Sequence, residues 1–249
     1  MNALPFNCII FKYLNLIDFG GNHMIDSNDC WLKSQCKQKH CNDINGCMIL
    51  YKLDYLYNEA GVPINLRANI NLRTDADGTD YDEFIALKRI QDNIIEFINN
   101  GNQLLIHSKT CGCGKTSWSL RLLQTYFNKI WLKSELKCKA LFINVPYLLL
   151  ALKDNISSKN DYVEHIKQNV LDCDLIIWDD IGTKTSTAFE AEHLLSMIDG
   201  RIINNKANIF TSNLSDEELH SALGDRLASR ICNLGYNIKL NGGDKRGLK

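Results

Sequence analysis

The sequence predicts an α/β fold: a parallel sheet with helical crossovers, preceded by a small cysteine-rich segment. Three observations carry that expectation. From residue 81 onward, short apolar strand-like runs alternate with amphipathic helical ones, the pattern of a parallel sheet with helical crossovers. Between one such strand and the next helix lies "SKTCGCGKT", residues 108–116, a glycine-rich loop of the phosphate-binding kind. Ahead of both, Cys30, Cys36, Cys41 and Cys47 crowd together.

Residues 1–29 show no clear period, and Met24 is a candidate start for the first recognisable pattern. In "MILYKLDYLYNEAGVP", Ile49, Leu53, Leu56 and Tyr57 recur at helical spacing until Gly61 and Pro63 stop them. "INLRANINLRTDADGTD" is polar and Asp-rich and reads as a linker. The expected organisation is a cysteine-rich domain over 1–62, a linker over 63–80 and a third region over 81–249. In that region Phe84, Leu87, Ile90, Ile94 and Ile98 line one stripe of a helix stopped at Asn99-Asn100-Gly101. "QLLIHS" is a buried strand, and the glycine-rich loop leads from it into the helix "TSWSLRLLQTYFNK". Strand "KALFINV", helix "PYLLLALK", helix "DYVEHIKQNVLDC" and strand "DLIIWDD" follow. Next come helix "STAFEAEHLLSMIDGRIINN" and strand "ANIFTSN". "SDEELHSALGDRLASRICN" is a helix pair capped by Ser215, and "YNIKL" is the last strand.

Composition narrows the function. The 249 residues are 45% hydrophobic and 23% charged, as in ordinary globular domains, and the formal net charge of -1 excludes a globally basic nucleic-acid binder. The apolar run "CIIFKYLNLIDF" is too short to span a membrane and carries Lys12 and Asp18. A cytoplasmic, reducing location is expected, where clustered cysteines favour metal over disulfides. Cys30, Cys36, Cys41 and Cys47, with His40 as an alternative ligand, suit a tetrahedral Zn²⁺ site; the competing readings are small core residues or a reversible disulfide. Cys138, Cys173 and Cys232 are isolated, and Cys173 reads as core.

A phosphate loop points backbone N–H groups and a helix N-terminus at phosphates, while a Lys neutralises charge and a Ser/Thr hydroxyl binds magnesium. Here Cys111, Gly112, Cys113 and Gly114 form the cradle, and Lys115, Thr116 and Ser117 open the helix. The departure is Lys109, which stands where G-x-x-x-x-G-K-[ST] begins with Gly. Downstream, "DLIIWDD" ends in Asp179-Asp180: the first carboxylate suits magnesium, shared with Thr116, and the second suits polarising an attacking water. Asn213, ending another strand, can position that water. Arg226 and Arg230 share one helix face at i, i+4, where one can reach a neighbouring subunit's γ-phosphate. Each also has a bland reading, as a solvated strand end, a turn residue or a surface charge.

The ordered set "CGCGKT", "LIIWDD", "TSN", "GDRLASR" and "GGDKRG" resembles the AAA+ ATPases of the bacterial and phage helicase-loader group, the DnaC/DnaI-type proteins, close to the IstB-type transposition helpers. The resemblance covers residues 81–249 and implies an AAA+ three-layer αβα sandwich that binds and hydrolyses ATP with Mg²⁺. It implies Lys115 and Thr116 as Walker A, Asp179 and Asp180 as Walker B, and Asn213 as sensor 1. It also implies Arg230 as arginine finger with Arg226 beside it, and Arg246 as the sensor 2 arginine. Many relatives carry Glu where Asp180 stands, which suits slow, switch-like hydrolysis. The implied partners are a replicative DnaB-type helicase, single-stranded DNA and further copies of the chain. DnaI-type loaders carry a small N-terminal zinc domain that touches the helicase, which strengthens the Zn²⁺ reading. For DNA contact the candidates are Lys133, Lys137, Lys139, Arg201 and Lys206, with Trp131 and Tyr147 as stacking groups. The rival readings are an IstB-like transposition helper, a small-molecule P-loop kinase, and a binding module with a non-hydrolysing loop.

Overall fold

The computed structural model describes residues 30–33, 36, 47–68, 70, 72, 78–155, 158–183 and 187–245. Its helices are α1 (Met48–Glu59), α2 (Tyr81–Asp92), α3 (Ile94–Asn99), α4 (Lys115–Ile130), α5 (Val145–Asp154), α6 (Asp161–Asn169), α7 (Ala188–Ile203), α8 (Asp216–Leu223) and α9 (Asp225–Cys232). The strands β1 (Gln103–His107), β2 (Ala140–Asn144), β3 (Leu175–Asp179), β4 (Ala207–Ser212) and β5 (Tyr236–Lys239) form one parallel sheet in the order β2-β3-β4-β1-β5.

Alternation along the strands divides the core in two. Leu104, Ile106, Leu175, Ile177 and Ile209 face one layer, with α1 to α4; Leu105, Ile176, Trp178 and Phe210 face the other, with α5 to α9. A sheet covered on both faces reads as nearly continuous apolar runs, which is why "QLLIH" and "LIIWD" are recognisable. Helix starts follow local chemistry. Thr187 and Glu190 form a capping box on α7, and Ser215 and Glu218 form one on α8, as the Ser215 cap led us to expect.

Parallel register brings the ends of three strands together. His107 pairs with Ser212, and Asn144 with Asp179, so β1, β4 and β3 finish side by side. In open α/β sheets that carboxyl edge is where ligands bind. The opposite edge is locked by Asn208, fully buried in β4. Its side-chain oxygen accepts from Trp178 Nε1 (3.0 Å) and Arg201 Nε (2.7 Å), and its nitrogen donates to Gln103 Oε1 (2.8 Å) and the Lys206 carbonyl (3.1 Å).

Two expectations need correction. The helix expected over 81–99 breaks at Asn93, whose side-chain amide donates to the Arg89 carbonyl at 3.0 Å and so offers the backbone an alternative to the helical ladder. Leu32, Leu53, Leu56 and Tyr57 share one core cluster with Phe127 of α4, and the Tyr57 and Phe127 rings meet edge to face at 5.0 Å. Arg67, buried in the expected linker, donates to the Val62 carbonyl and pairs with Asp54 at 3.2 Å. Finally, Arg201 is no DNA contact: it is 0% exposed and donates to Asn208 and to the carbonyls of Val170, Cys173 and Ala207.

Asn208→Ala strips partners from Arg201, Trp178 and Gln103 together. Each orphaned buried group costs about 1–3 kcal/mol, so a loss of at least about 3 kcal/mol is expected in urea unfolding. An unchanged denaturation midpoint would contradict the role given to Asn208.

Candidate nucleotide-binding site

The loop 108–114 leaves the end of β1 and turns into α4, a sixteen-residue helix whose N-terminus faces it. Gly112 (φ 76°) and Gly114 (φ 109°) occupy left-handed backbone, where a side chain would be strained. Lys109 lies outside that region, so the position does not demand glycine. Its ammonium meets Glu218 of α8 at 3.0 Å on the surface, which accounts for the residue the motif left unexplained.

Lys115 is only 8% exposed and folds back into the loop. It donates to the carbonyls of Thr110 (2.9 Å) and Ser108 (3.3 Å) and lies 3.6 Å from Cys113 Sγ. The two loop cysteines part company: Cys113 is buried and Cys111 exposed. The Ser108 N–H donates to the Ser212 carbonyl, joining the loop to the end of β4.

The strand ends bring the predicted carboxylates to this loop. Asp179 Oδ1 accepts from Thr116 Oγ1 and from Thr211 Oγ1, both at 2.8 Å. Burial pushes the Asp179 carboxyl above its ordinary range; those two hydroxyls and Lys115 oppose the shift, and Asp180 adds to it. Asp180 turns off the strand at φ 62°, a left-handed angle that Asp tolerates better than most residues. Its N–H donates to Thr211 Oγ1 (2.9 Å), and its Oδ1 accepts from Asn213 Nδ2 (2.7 Å). Thr116, Asp179, Asp180 and Asn213 therefore converge, and Thr211, which sequence reasoning passed over inside "TSN", joins the two aspartates. Parallel pairing of β3 and β4 was the signal that could have found it.

Other candidates lie apart. Arg230 donates from Nε to Asp199 Oδ1 of α7 at 2.7 Å, while exposed Arg226 makes no side-chain hydrogen bond or ion pair with another described residue. Neither is paired to the loop. Arg246, His40 and Cys41 fall outside the described residues, whereas Ser117 sits half-buried in the first turn of α4. Cys30 and Cys36 pack against the core, Cys47 Sγ caps α1 by accepting from the Leu50 N–H, and the three sulfurs do not gather within ligand distance of one another. The described residues thus give the four-thiolate site no support.

Sequence reasoning also missed Asp80. Standing before α2, it leaves that helix uncapped and accepts instead from the N–H groups of Asn241 (2.7 Å) and Gly242 (2.9 Å). The segment after β5 is thereby laid on the loop, where the Lys245 N–H donates to the Gly112 carbonyl at 3.0 Å.

A glycine-turned loop, a helix N-terminus and a Thr–Asp pair at the carboxyl edge of a parallel sheet define a phosphate-loop nucleotide-binding fold. Residues 78–233, well over half the chain, match the model of the IstB-like ATP binding proteins, and the chain belongs to that family. It is similar to the replicative helicase loader DnaC of Escherichia coli strain K12, 23% identical over 182 residues, covering 72% of this chain and 69% of that protein. Among solved structures, the DnaC helicase loader (TM-score 0.56, 19% identity) covers 69% of this chain and 96% of its own. DnaI (TM-score 0.56, 20% identity) covers 74% and 94%. Domain III of the Thermotoga maritima replication initiation protein DnaA (TM-score 0.51, 19% identity) covers 77% and 68%. At these identities the likeness to the solved structures is one of fold.

The raised Asp179 pKa has a consequence for stability. A protonated carboxyl is favoured in the folded state, so this group stabilises below its ordinary pKa and loses that contribution as pH rises through the folded value. Asp179→Asn is therefore expected to melt at or a few degrees above the wild type at pH 7, at about 2–4 °C per kcal/mol, with the gap closing on acidification. A lower melting temperature at pH 7 contradicts the assignment.

Proposed function

We propose that the protein is a slow, switch-like ATPase that delivers a replicative DnaB-type helicase onto single-stranded DNA. The convergence of Thr116, Asp179, Asp180 and Asn213 beside a glycine-turned loop carries the ATPase reading. Membership of the IstB-like ATP-binding family and the likeness to DnaC and DnaI support the loader reading.

In this reading Lys115 exchanges the loop carbonyls it now holds for the β- and γ-phosphates of ATP. Thr116 and Asp179 are the residues that would hold Mg²⁺, which would supply positive charge against the phosphates. Asp180, aimed by its turn and by Asn213, orients the attacking water. The helix end bearing Arg226 and Arg230 meets the γ-phosphate of a neighbouring copy, so that Arg230 leaves Asp199 on assembly. Of the basic candidates for DNA, Lys206 donates to the Asp172 carbonyl, Lys137 pairs with Glu135 at 2.8 Å, and Lys139 lies 3.7 Å from Asp174. All three stand at the edge of the sheet opposite the loop.

The family match also favours a second reading, an IstB-like helper that escorts a transposase. Capture with the tagged chain in the presence of ATP separates the two: a replicative helicase is expected, and recovery of a transposase in its place overturns the loader reading. Lys115→Ala should weaken ATP binding by about 10²-fold, on the 2–5 kcal/mol scale of removing one member of a charge pair. Arg230→Ala should keep binding but lower the turnover of assembled protein by about 10³-fold. ATP binding unaffected by Lys115→Ala ends the nucleotide-site reading.

A further inference from the structure

At the edge of the sheet opposite the phosphate loop, three elements remote in sequence meet around a cleft of about 860 Å³. Glu59 ends α1, Cys138 leads into β2, and His165 lies midway along α6. A carboxylate oxygen, the sulfur and a ring nitrogen from these three all lie within 4.8 Å of one another. Among the described residues no other three His, Cys, Asp or Glu side chains meet that condition. The backbone carbonyl of Glu59 sits among them, accepting from His165 Nε2 at 2.8 Å and from the Cys138 thiol at 3.8 Å. Family membership does not account for this cluster, because Glu59 precedes the matched residues and none of the three touches the phosphate loop.

We propose that Glu59, Cys138 and His165 form a Zn²⁺ site, with the fourth position open to the cleft. Thiolate, imidazole and carboxylate together are the donor set of a borderline-soft divalent ion rather than of Mg²⁺ or Ca²⁺. Zinc–ligand bonds of about 2.0–2.3 Å place tetrahedral donors about 3.3–3.8 Å apart, close to the spacing within 4.8 Å that these three atoms already have. The surroundings favour a cation. Five carboxylates, including Asp172 and Asp174, line the cleft against three lysines. Binding releases the thiol proton to solvent, and the neutral imidazole binds through its unprotonated nitrogen; no oxidant or reductant is involved. The ion would tie α1, ahead of the family-matched region, to β2 and α6 within it, independently of nucleotide.

The test is Co²⁺ titration of the chelator-treated full chain, followed by displacement with Zn²⁺. A thiolate-to-cobalt charge-transfer band of single-thiolate intensity is expected, reaching one equivalent and bleached by Zn²⁺. Cys138→Ser should abolish the band, His165→Gln and Glu59→Gln should weaken Co²⁺ binding by at least about tenfold, and Cys36→Ser should leave it intact. Zn²⁺ should raise the melting temperature of the wild type and not of Cys138→Ser. Absence of the band in the wild type, its survival in Cys138→Ser, or a multi-thiolate band lost in Cys36→Ser overturns the proposal. Should Cys138→Ser fail to fold, the glutamine variants decide: binding unchanged in both overturns it equally.

Discussion

Asn208 uses its whole hydrogen-bonding capacity inside the protein, two bonds accepted and two donated, and in doing so sets β4 against both neighbours. Trp178 belongs to β3, Gln103 to β1 and Arg201 to α7, so one buried amide holds three strands and a covering helix in a single arrangement. A parallel sheet is prone to register error because each strand is apolar on both faces. A polar group that is satisfied in one register alone removes that freedom, since any slip leaves several buried partners empty.

Register at that edge decides chemistry at the other. With β1, β4 and β3 aligned, the loop after His107, the Thr211–Asn213 segment and Asp179-Asp180 end side by side. Thr211 then serves two neighbours at once, donating to Asp179 and accepting from the Asp180 N–H. The two adjacent carboxylates are thereby given different work: Asp179 stays nearly buried against Thr116, and Asp180 is turned outward through left-handed backbone toward Asn213. An ionised carboxylate held in such burial is poorly stabilised on its own, and a cation there relieves the mismatch.

The segment after β5 carries the same logic to the far side of the loop. Asp80, 3% exposed, gives its carboxylate to the backbone of Asn241 and Gly242 rather than to its own helix, and Lys245 reaches the carbonyl of Gly112. The chain leaving β5 is thus bonded to the phosphate loop, and the chain entering α2 is tied to that segment.

Much of this was legible in one dimension. Apolar runs, capping residues and the strand–"CGCGKT"–helix unit depend on local propensity and period, so the sequence by itself determined the α/β class, nearly every element and the loop with Lys115 and Thr116. Asp179, Asp180 and Asn213 were also readable, because strand ends in a parallel sheet share one edge. Tertiary structure alone decided what depends on contacts between distant segments. It buried Arg201 in place of exposing it, drew Leu32, Leu53, Leu56 and Tyr57 into the common core, gave Lys109 its partner in Glu218, and assembled Glu59, Cys138 and His165. Those pairings span tens to more than a hundred residues, and no local period records which polar groups must meet once the sheet has closed; burial and hydrogen-bond satisfaction in three dimensions select them.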